Sequence, residues 1–374
     1  MVFKTDIHSV SDARRLAQKR LPWMVFDYID GAAGDGFGEQ ANRDAIRALR
    51  LQPRVLNNVE QRDVGGSVFA QQSALSFGVS PMGMCNLAAP KADLTLAKLA
   101  AKHAMPVGVS TASSTSLETM MDVSQGNAWF QLYFSGNEEA SHALITRAKD
   151  AGYKTLILTV DVPEVGRRPR ELRRGFKMPF KIGPKQFIDF ACHPQWSLST
   201  LFHGKPELAN FGGEFGAFDR TSSRAGADWD LLAKIRDTWD GNLVVKGVLH
   251  PDDAVKMQQM GVDAIQVSSH GGRQLEGSVN AIDALGAIRK AVGAKYPLFY
   301  DSGLRSGEDI VKAYAAGADF AFLGRPFSYA IAAGGARGLD QLVDVLAQEV
   351  SITLAQLGVT DMAALNKTHI VKQE

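Results

Sequence analysis

From about residue 74, short apolar runs alternate with stretches in which apolar positions recur at helical spacing. The runs predict strands at Leu75–Ser80, Pro106–Ser110, Trp129–Tyr133, Thr155–Asp161, Leu243–Lys246, Ala264–Ser268, Pro297–Asp301 and Phe320–Leu323. Helices are expected between them at Leu94–His103, Ser116–Asp122, Glu138–Ala151, Asp252–Met260, Ala281–Ala291 and Gly307–Ala315. Strands that alternate with helices build a parallel sheet. Eight such units over this length predict an α/β fold, a (β/α)8 TIM barrel. A doubly wound open sheet is the competing architecture. It calls for a Gly-rich dinucleotide turn after the first strand, and Pro81-Met82-Gly83-Met84 is not one.

The ends of the chain do not share this rhythm. Ser9–Lys19, a stretch opening at Pro22, and Glu39–Leu49 read as three helices, with Ser9 or Ser11 as a candidate first cap. They predict an N-terminal helical cap over residues 1–73, followed by a barrel over 74–335 in one domain. Gly338–Leu357 reads as a C-terminal amphipathic helix within a closing segment over 336–374. A long insertion, about 162–228, follows strand 4 and far exceeds an ordinary βα loop. Its start is basic, at Arg167, Arg168, Arg170, Arg173 and Arg174. Its middle is apolar and aromatic, at Phe187–Ala191 and Trp196–Phe202, and Gly212-Gly213 with Ser222-Ser223 read as a flexible stretch. Two readings fit: a covering loop, or a flap over about 175–215 that touches an anionic lipid surface.

Composition narrows the class. The chain has 374 residues, 45% hydrophobic and 22% charged, as in a soluble globular protein. A formal net charge of +1 makes no global case for nucleic acid. Two cysteines, Cys85 and Cys192, form neither a disulfide framework nor a metal cluster, so no metal is expected. Met1–Arg20 lacks the apolar core of a signal peptide, and no run is long enough to span a bilayer. A cytoplasmic location is expected, with contact at the inner face of the plasma membrane left open.

Barrel chemistry collects at the C-terminal strand ends, and here all eight ends carry polar groups or glycine turns. They hold Pro81-Met82-Gly83, Ser110, Gln131 with Tyr133, and Thr159 with Asp161. Lys246, Ser268 with His270, Asp301, and Gly324-Arg325 complete the set. His270 is a candidate base near neutral pH, and Arg273, three residues on, is a candidate carboxylate fork. Asp301–Gly307 and Leu323–Pro326 combine glycines with Arg305 and Arg325, the composition of a barrel phosphate site.

These residues resemble the FMN-dependent α-hydroxy acid oxidases and dehydrogenases. The resemblance runs from Leu21-Pro22 to about Leu357. It is carried by Ser268–Gln274, Phe130–Tyr133, Leu158–Asp161, Val245–Gly247 and Leu323–Arg325. Ser110–Ser113, His193–Leu198 and Leu208–Phe211 resemble the bacterial membrane-associated branch that includes mandelate and lactate dehydrogenases. The resemblance implies FMN as cofactor and oxidation of a small (S)-2-hydroxy acid to the 2-oxo acid. The electron acceptor would be a quinone or another carrier. An oxygen-using oxidase, an FMN-barrel isomerase and a non-catalytic flavin protein are the alternatives, and a homotetramer is expected. By resemblance His270 is the base and Asp161 its partner. Arg168, Arg273 and Tyr28 hold the substrate carboxylate, and Tyr133 meets the hydroxyl. Lys246 sits near flavin N1. Pro81, Met82, Gly83, Ser110, Gln131, Thr159 and Ser268 surround the flavin ring. Asp301, Arg305, Gly324 and Arg325 hold the ribityl chain and phosphate. Met82, Cys85, Ser269 and Ala112 depart from the common pattern, and Ala112 leaves room for a larger substrate substituent. Ser302 resembles the dehydrogenase branch.

Overall fold

The computed structural model describes residues 6–69, 71–176, 183–204, 207–211 and 223–372. Eight parallel strands close into a barrel: β1 (Phe77–Met82), β2 (Val107–Ser110), β3 (Ala128–Tyr133), β4 (Thr155–Thr159), β5 (Asn242–Val248), β6 (Ala264–Val267), β7 (Leu298–Tyr300) and β8 (Phe320–Leu323). They follow one another around the barrel in chain order, with β8 paired to β1. Most of their residues are buried. That is why they read as continuous apolar runs rather than alternating ones. Every predicted strand lies within two residues of an observed one, and the open-sheet alternative is excluded by closure.

The barrel is filled at its N-terminal end by aromatic side chains. Trp129, Phe299, Phe320 and Phe322 pack with Ile157, Val244 and Val68. Phe69 covers them from the turn between Gly66–Val68 and Gln71–Ser73, a two-stranded hairpin. The cap segment therefore includes a plug as well as helices. The filled end leaves the opposite mouth for chemistry.

The three cap helices are Val10–Arg20, Trp23–Asp30 and Phe37–Ala48. Ser9, not Ser11, caps the first, accepting from the Asp12 amide. The second has no cap of its own, because Pro22 offers no side-chain acceptor. Asp189 in the insertion caps it instead, accepting from the amides of Trp23 at 2.9 Å and Met24 at 3.2 Å. Such a cap is worth about 0.5–2 kcal/mol, and it ties the insertion to the helix that carries Tyr28.

Two features at the C-terminal side add to what the sequence predicts. The expected Gly338–Leu357 helix is present, but an unexpected helical stretch from Arg325 precedes it, separated from it by a break at Gly335, where φ is +59°. The ten residues of this stretch are nearly all buried, so they show no amphipathic stripe. The tail then returns as a strand, Ile370–Lys372, antiparallel to Leu49–Leu51.

The described part of the insertion contains three helices. Pro169–Arg174, Pro184–Cys192 and Pro194–His203 each begin with proline in the first turn, a position where its missing N–H costs nothing. Trp196, in the apolar middle of the insertion, is buried against Phe190 and donates Nε1–H to the Leu87 carbonyl at 2.8 Å. Phe187, Ile188, Leu198, Leu201 and Phe202 are exposed. Of the expected flexible stretch at Gly212-Gly213 and Ser222-Ser223, all but Ser223 lies outside the described residues, as does part of the 175–215 flap.

Candidate active site

His270 leaves β6 in a tight turn, His270–Gly272, with a positive φ of 55°. The turn is held from below. The Ser302 hydroxyl accepts from the amides of Ser269 and Gly271, both at 3.1 Å, and Ser268 Oγ accepts from the His270 amide at 3.0 Å. The imidazole Nδ1 lies 3.0 Å from Asp161 Oδ1 and 3.2 Å from Oδ2. Asp161 follows β4, and Gly247 on β5 makes room for it. A Cβ there would meet the Asp161 side chain at 2.5 Å, and φ is +102°. With Nδ1–H donated to Asp161, Nε2 becomes the basic nitrogen. It faces the Tyr133 hydroxyl at 3.4 Å. Burial lowers the His270 pKa below its ordinary value, and the Asp161 carboxylate only partly restores it. The ring is therefore neutral and ready to accept a proton at neutral pH. Burial, reinforced by Asp161, raises the Tyr133 pKa, so its hydroxyl stays protonated.

Beside this base stand two arginines. Arg168, at the start of Pro169–Arg174, donates from Nε to the Arg273 carbonyl at 3.1 Å and from Nη2 to Gln274 Oε1 at 3.0 Å. Arg273 donates from Nη1 to the carbonyls of Tyr28 and Gly31 at 2.9 and 2.7 Å. Tyr28 lies under the Arg273 guanidinium, stacks on Phe176 with ring centres 4.5 Å apart, and reaches the Gly83 carbonyl at 3.3 Å. Both arginines also bond to Glu171, a buried acid that the sequence reading passed over. Its only local signal is an acid three residues after Arg168.

The remaining strand ends form a second cluster. Lys246 Nζ lies 2.7 Å from Ser268 Oγ and 3.1 Å from Asp301 Oδ2. Ser80, Gln266, Ser268 and Ser302 also donate to Asp301. Burial alone would raise the Asp301 pKa, but Lys246 and these donors outweigh it and hold it below its ordinary value. The Gln131 amide nitrogen and oxygen and Thr159 Oγ1 are buried on neighbouring strands with no hydrogen-bond partner among the described residues. Buried polar atoms without partners are costly, so these are seats for a polar group. An isoalloxazine, with carbonyls and an N–H along one edge, fits them. Beyond β8, Arg325 is half-buried and donates to the carbonyls of Ile29, Gly31 and Gly271. Its enclosure, with Arg305 and Arg273 nearby, lowers its pKa to about 10. A guanidinium so crowded by cations at a helix N-terminus favours an anion such as phosphate. Arg305 pairs with Glu39 at 2.8 Å.

One cavity joins these groups. It spans about 1390 Å³ of space, part of it open to solvent. Tyr28, Tyr133, Arg168, His270 and Arg273 line one part; Lys246, Asp301, Arg305 and Arg325 line another, with Pro81, Met82, Gly83, Ser110 and Gly324 between. Asp161, Gln131, Thr159 and Ser268 are not part of the lining, but Asp161 bonds to His270 and Ser268 to Lys246, which are. Ala112, Val162, Val165 and Cys85 supply an apolar wall.

A family model described as FMN-dependent dehydrogenase matches residues 17–372, and the chain belongs to that family. Its cofactor is FMN. The chain is 37% identical to (S)-mandelate dehydrogenase of Pseudomonas putida, with 98% of this chain and 94% of that protein covered. It is 34% identical to an L-lactate dehydrogenase of Pseudomonas syringae, over 98% of this chain and 99% of that protein. A solved structure of "monotopic membrane protein (S)-mandelate dehydrogenase" superposes with a TM-score of 0.94 at 36% identity, covering 98% of this chain and 100% of that one.

Proposed function

We propose that this protein oxidises an (S)-2-hydroxy acid to the 2-oxo acid and delivers the electrons to a quinone or comparable acceptor. The observation that carries the reading is the convergence, in one cavity, of a neutral His270 and two arginines beside the flavin seat. Bound FMN supplies the two-electron sink. Arg168 and Arg273, with Tyr28, hold the substrate carboxylate. Tyr133 meets the substrate hydroxyl. His270 Nε2 accepts a proton from the H–C–O–H unit, and Asp161 stabilises the imidazolium that results. Lys246 offsets negative charge gained at the cofactor. Ala112, Val162 and Val165 leave an apolar berth, which favours a mandelate-like aromatic substituent over the methyl of lactate.

The exposed apolar side chains of Pro184–Cys192 and Pro194–His203 support a peripheral membrane contact, where a quinone would be met. A homotetramer belongs to the same proposal and is read by light scattering. Solved mandelate oxidase structures are also similar, at 34% identity and a TM-score of 0.83, so oxygen as acceptor is the second reading. Anaerobic bleaching of the flavin by mandelate, lactate and glycolate tests the reaction. Admission of air then separates the acceptors. Slow recolouring supports a dehydrogenase and rapid recolouring an oxidase; an unbleached flavin overturns the proposal.

A further inference from the structure

We infer that Glu171 is the positioning residue of the substrate clamp: one buried carboxylate that holds Arg168 and Arg273 together as a unit. The inference deepens the proposed reaction and rests on it for the identity of the substrate. Glu171 Oε1 lies 3.0 Å from Arg273 Nη2 and 3.4 Å from Arg168 Nη1. Its side chain is 5% exposed, against 9% for Arg168 and 16% for Arg273. Both arginines line the cavity and Glu171 does not. The carboxylate therefore stands behind the clamp and does not occupy the place of the substrate.

The electrostatics explain the need. Two guanidiniums facing one enclosed space repel each other, and the repulsion grows as water is excluded. A single carboxylate shared between them reduces the local charge from +2 to +1. A monoanionic substrate then brings the set to neutrality, and neither arginine has to retreat from its neighbour. The shared oxygen also fixes geometry, which is where a forked donor gives specificity.

Glu171 is itself held rigidly. Its helix, Pro169–Arg174, is bolted to the helix that carries Tyr28. Arg170 pairs with Asp27 and with Asp30, the latter at 2.9 Å, and Arg174 reaches Asp27 at 2.9 Å. The Phe176 amide donates to the Glu171 carbonyl at 3.1 Å, and Phe176 carries the ring on which Tyr28 stacks. The acid, both arginines and the tyrosine thus form one assembly built from three separate parts of the chain.

Glu171→Gln keeps the size and an acceptor oxygen but removes the charge, and Glu171→Ala removes both. For the holoenzyme, KM for a 2-hydroxy acid is expected to rise about tenfold or more in Glu171→Ala, with a smaller rise in Glu171→Gln and kcat changed much less. The methyl ester of the same substrate, which offers no carboxylate, should lose far less. Equal losses for acid and ester would overturn the inference, as would an unchanged acid KM in both variants. Benzoate, a monoanion with no α-hydrogen to lose, titrated calorimetrically into the FMN-loaded protein gives a readout that needs no turnover. Its Kd should rise in parallel with KM, and an unchanged Kd in both variants again overturns the inference. If wild-type protein binds benzoate but oxidises no 2-hydroxy acid, the proposed reaction fails. The benzoate comparison still decides the role of Glu171.

Discussion

Asp161 Oδ1 lies 3.0 Å from His270 Nδ1, although the two residues are 109 positions apart in the chain. The pair fixes which imidazole nitrogen is basic and provides the counter-charge for the protonated ring. Asp161→Asn keeps the size but can present its amide N–H to Nδ1, which turns the basic nitrogen away from the cavity. Loss of such a partner costs up to about 10⁴-fold in related acid–base pairs. Anaerobic flavin reduction by substrate, followed by stopped flow, is expected to slow by roughly 10²–10⁴-fold. A rate within threefold of wild type would remove Asp161 from the mechanism.

The same pair sets a pH dependence. Burial depresses the His270 pKa below the ordinary value of about 6.5. Proton acceptance needs the neutral ring, so the reduction rate should fall as pH drops through that depressed pKa. Asp161 acts to raise it, so Asp161→Asn should move the acid limb further down in pH. Stability follows with a definite sign. The unfolded chain binds a proton at His270 more readily than the native state does. Stability is therefore fully present above about pH 6.5 and declines as pH falls toward the native pKa. Urea titrations across this range should show a shallower decline in His270→Gln than in wild type.

How much of this was legible in the sequence depends on the length scale of each signal. The eight strands were legible because a parallel barrel buries both faces of each strand, leaving unmixed apolar runs. The positions of His270, Lys246 and Asp301 followed from those runs, since strand ends share one mouth. Arg325–Gly334 was missed because a buried helix has no polar face to reveal its period. Ile370–Lys372 was missed because three residues carry no period, and their partner, Leu49–Leu51, lies more than 300 positions away. Trp196 and Phe202 are similar in composition but opposite in burial. Only the phase of a ten-residue helix separates them. Glu171 lay inside a basic run, where nothing local shows which arginine an acid will hold.

The seat at Arg325 makes a separate prediction about the cofactor. Its guanidinium is crowded by Arg305 and Arg273 and gains from a bound anion. Arg325→Met should lower FMN affinity by about 10–100-fold, the worth of one or two charge-assisted hydrogen bonds. The rise in Tm on adding FMN to apoprotein should shrink accordingly. Riboflavin, which lacks the phosphate, should bind wild type and variant alike. Equal loss for both flavins would mean that Arg325 supports the fold and not the phosphate.

The exposed apolar face of the insertion separates binding from chemistry. Leu201 is 77% and Phe202 82% exposed on Pro194–His203, with Phe187 and Ile188 exposed on the preceding helix. No helix among the described residues is long and apolar enough to cross a membrane. These short helices therefore suit the interface plane, with apolar side chains inserted and the backbone parallel to the surface. Burying a Leu or Phe contributes about 1.5–3 kcal/mol each. Leu201→Ser with Phe202→Ser should then weaken partitioning onto anionic phospholipid vesicles by roughly 100-fold or more. Neither side chain lines the catalytic cavity, so anaerobic flavin reduction by a soluble substrate should be unchanged. Turnover with a quinone embedded in the vesicles should fall, while turnover with a water-soluble dye acceptor should hold. If the double variant sediments with the vesicles as wild type does, or if wild type does not sediment with them at all, the proposed contact through these helices is overturned.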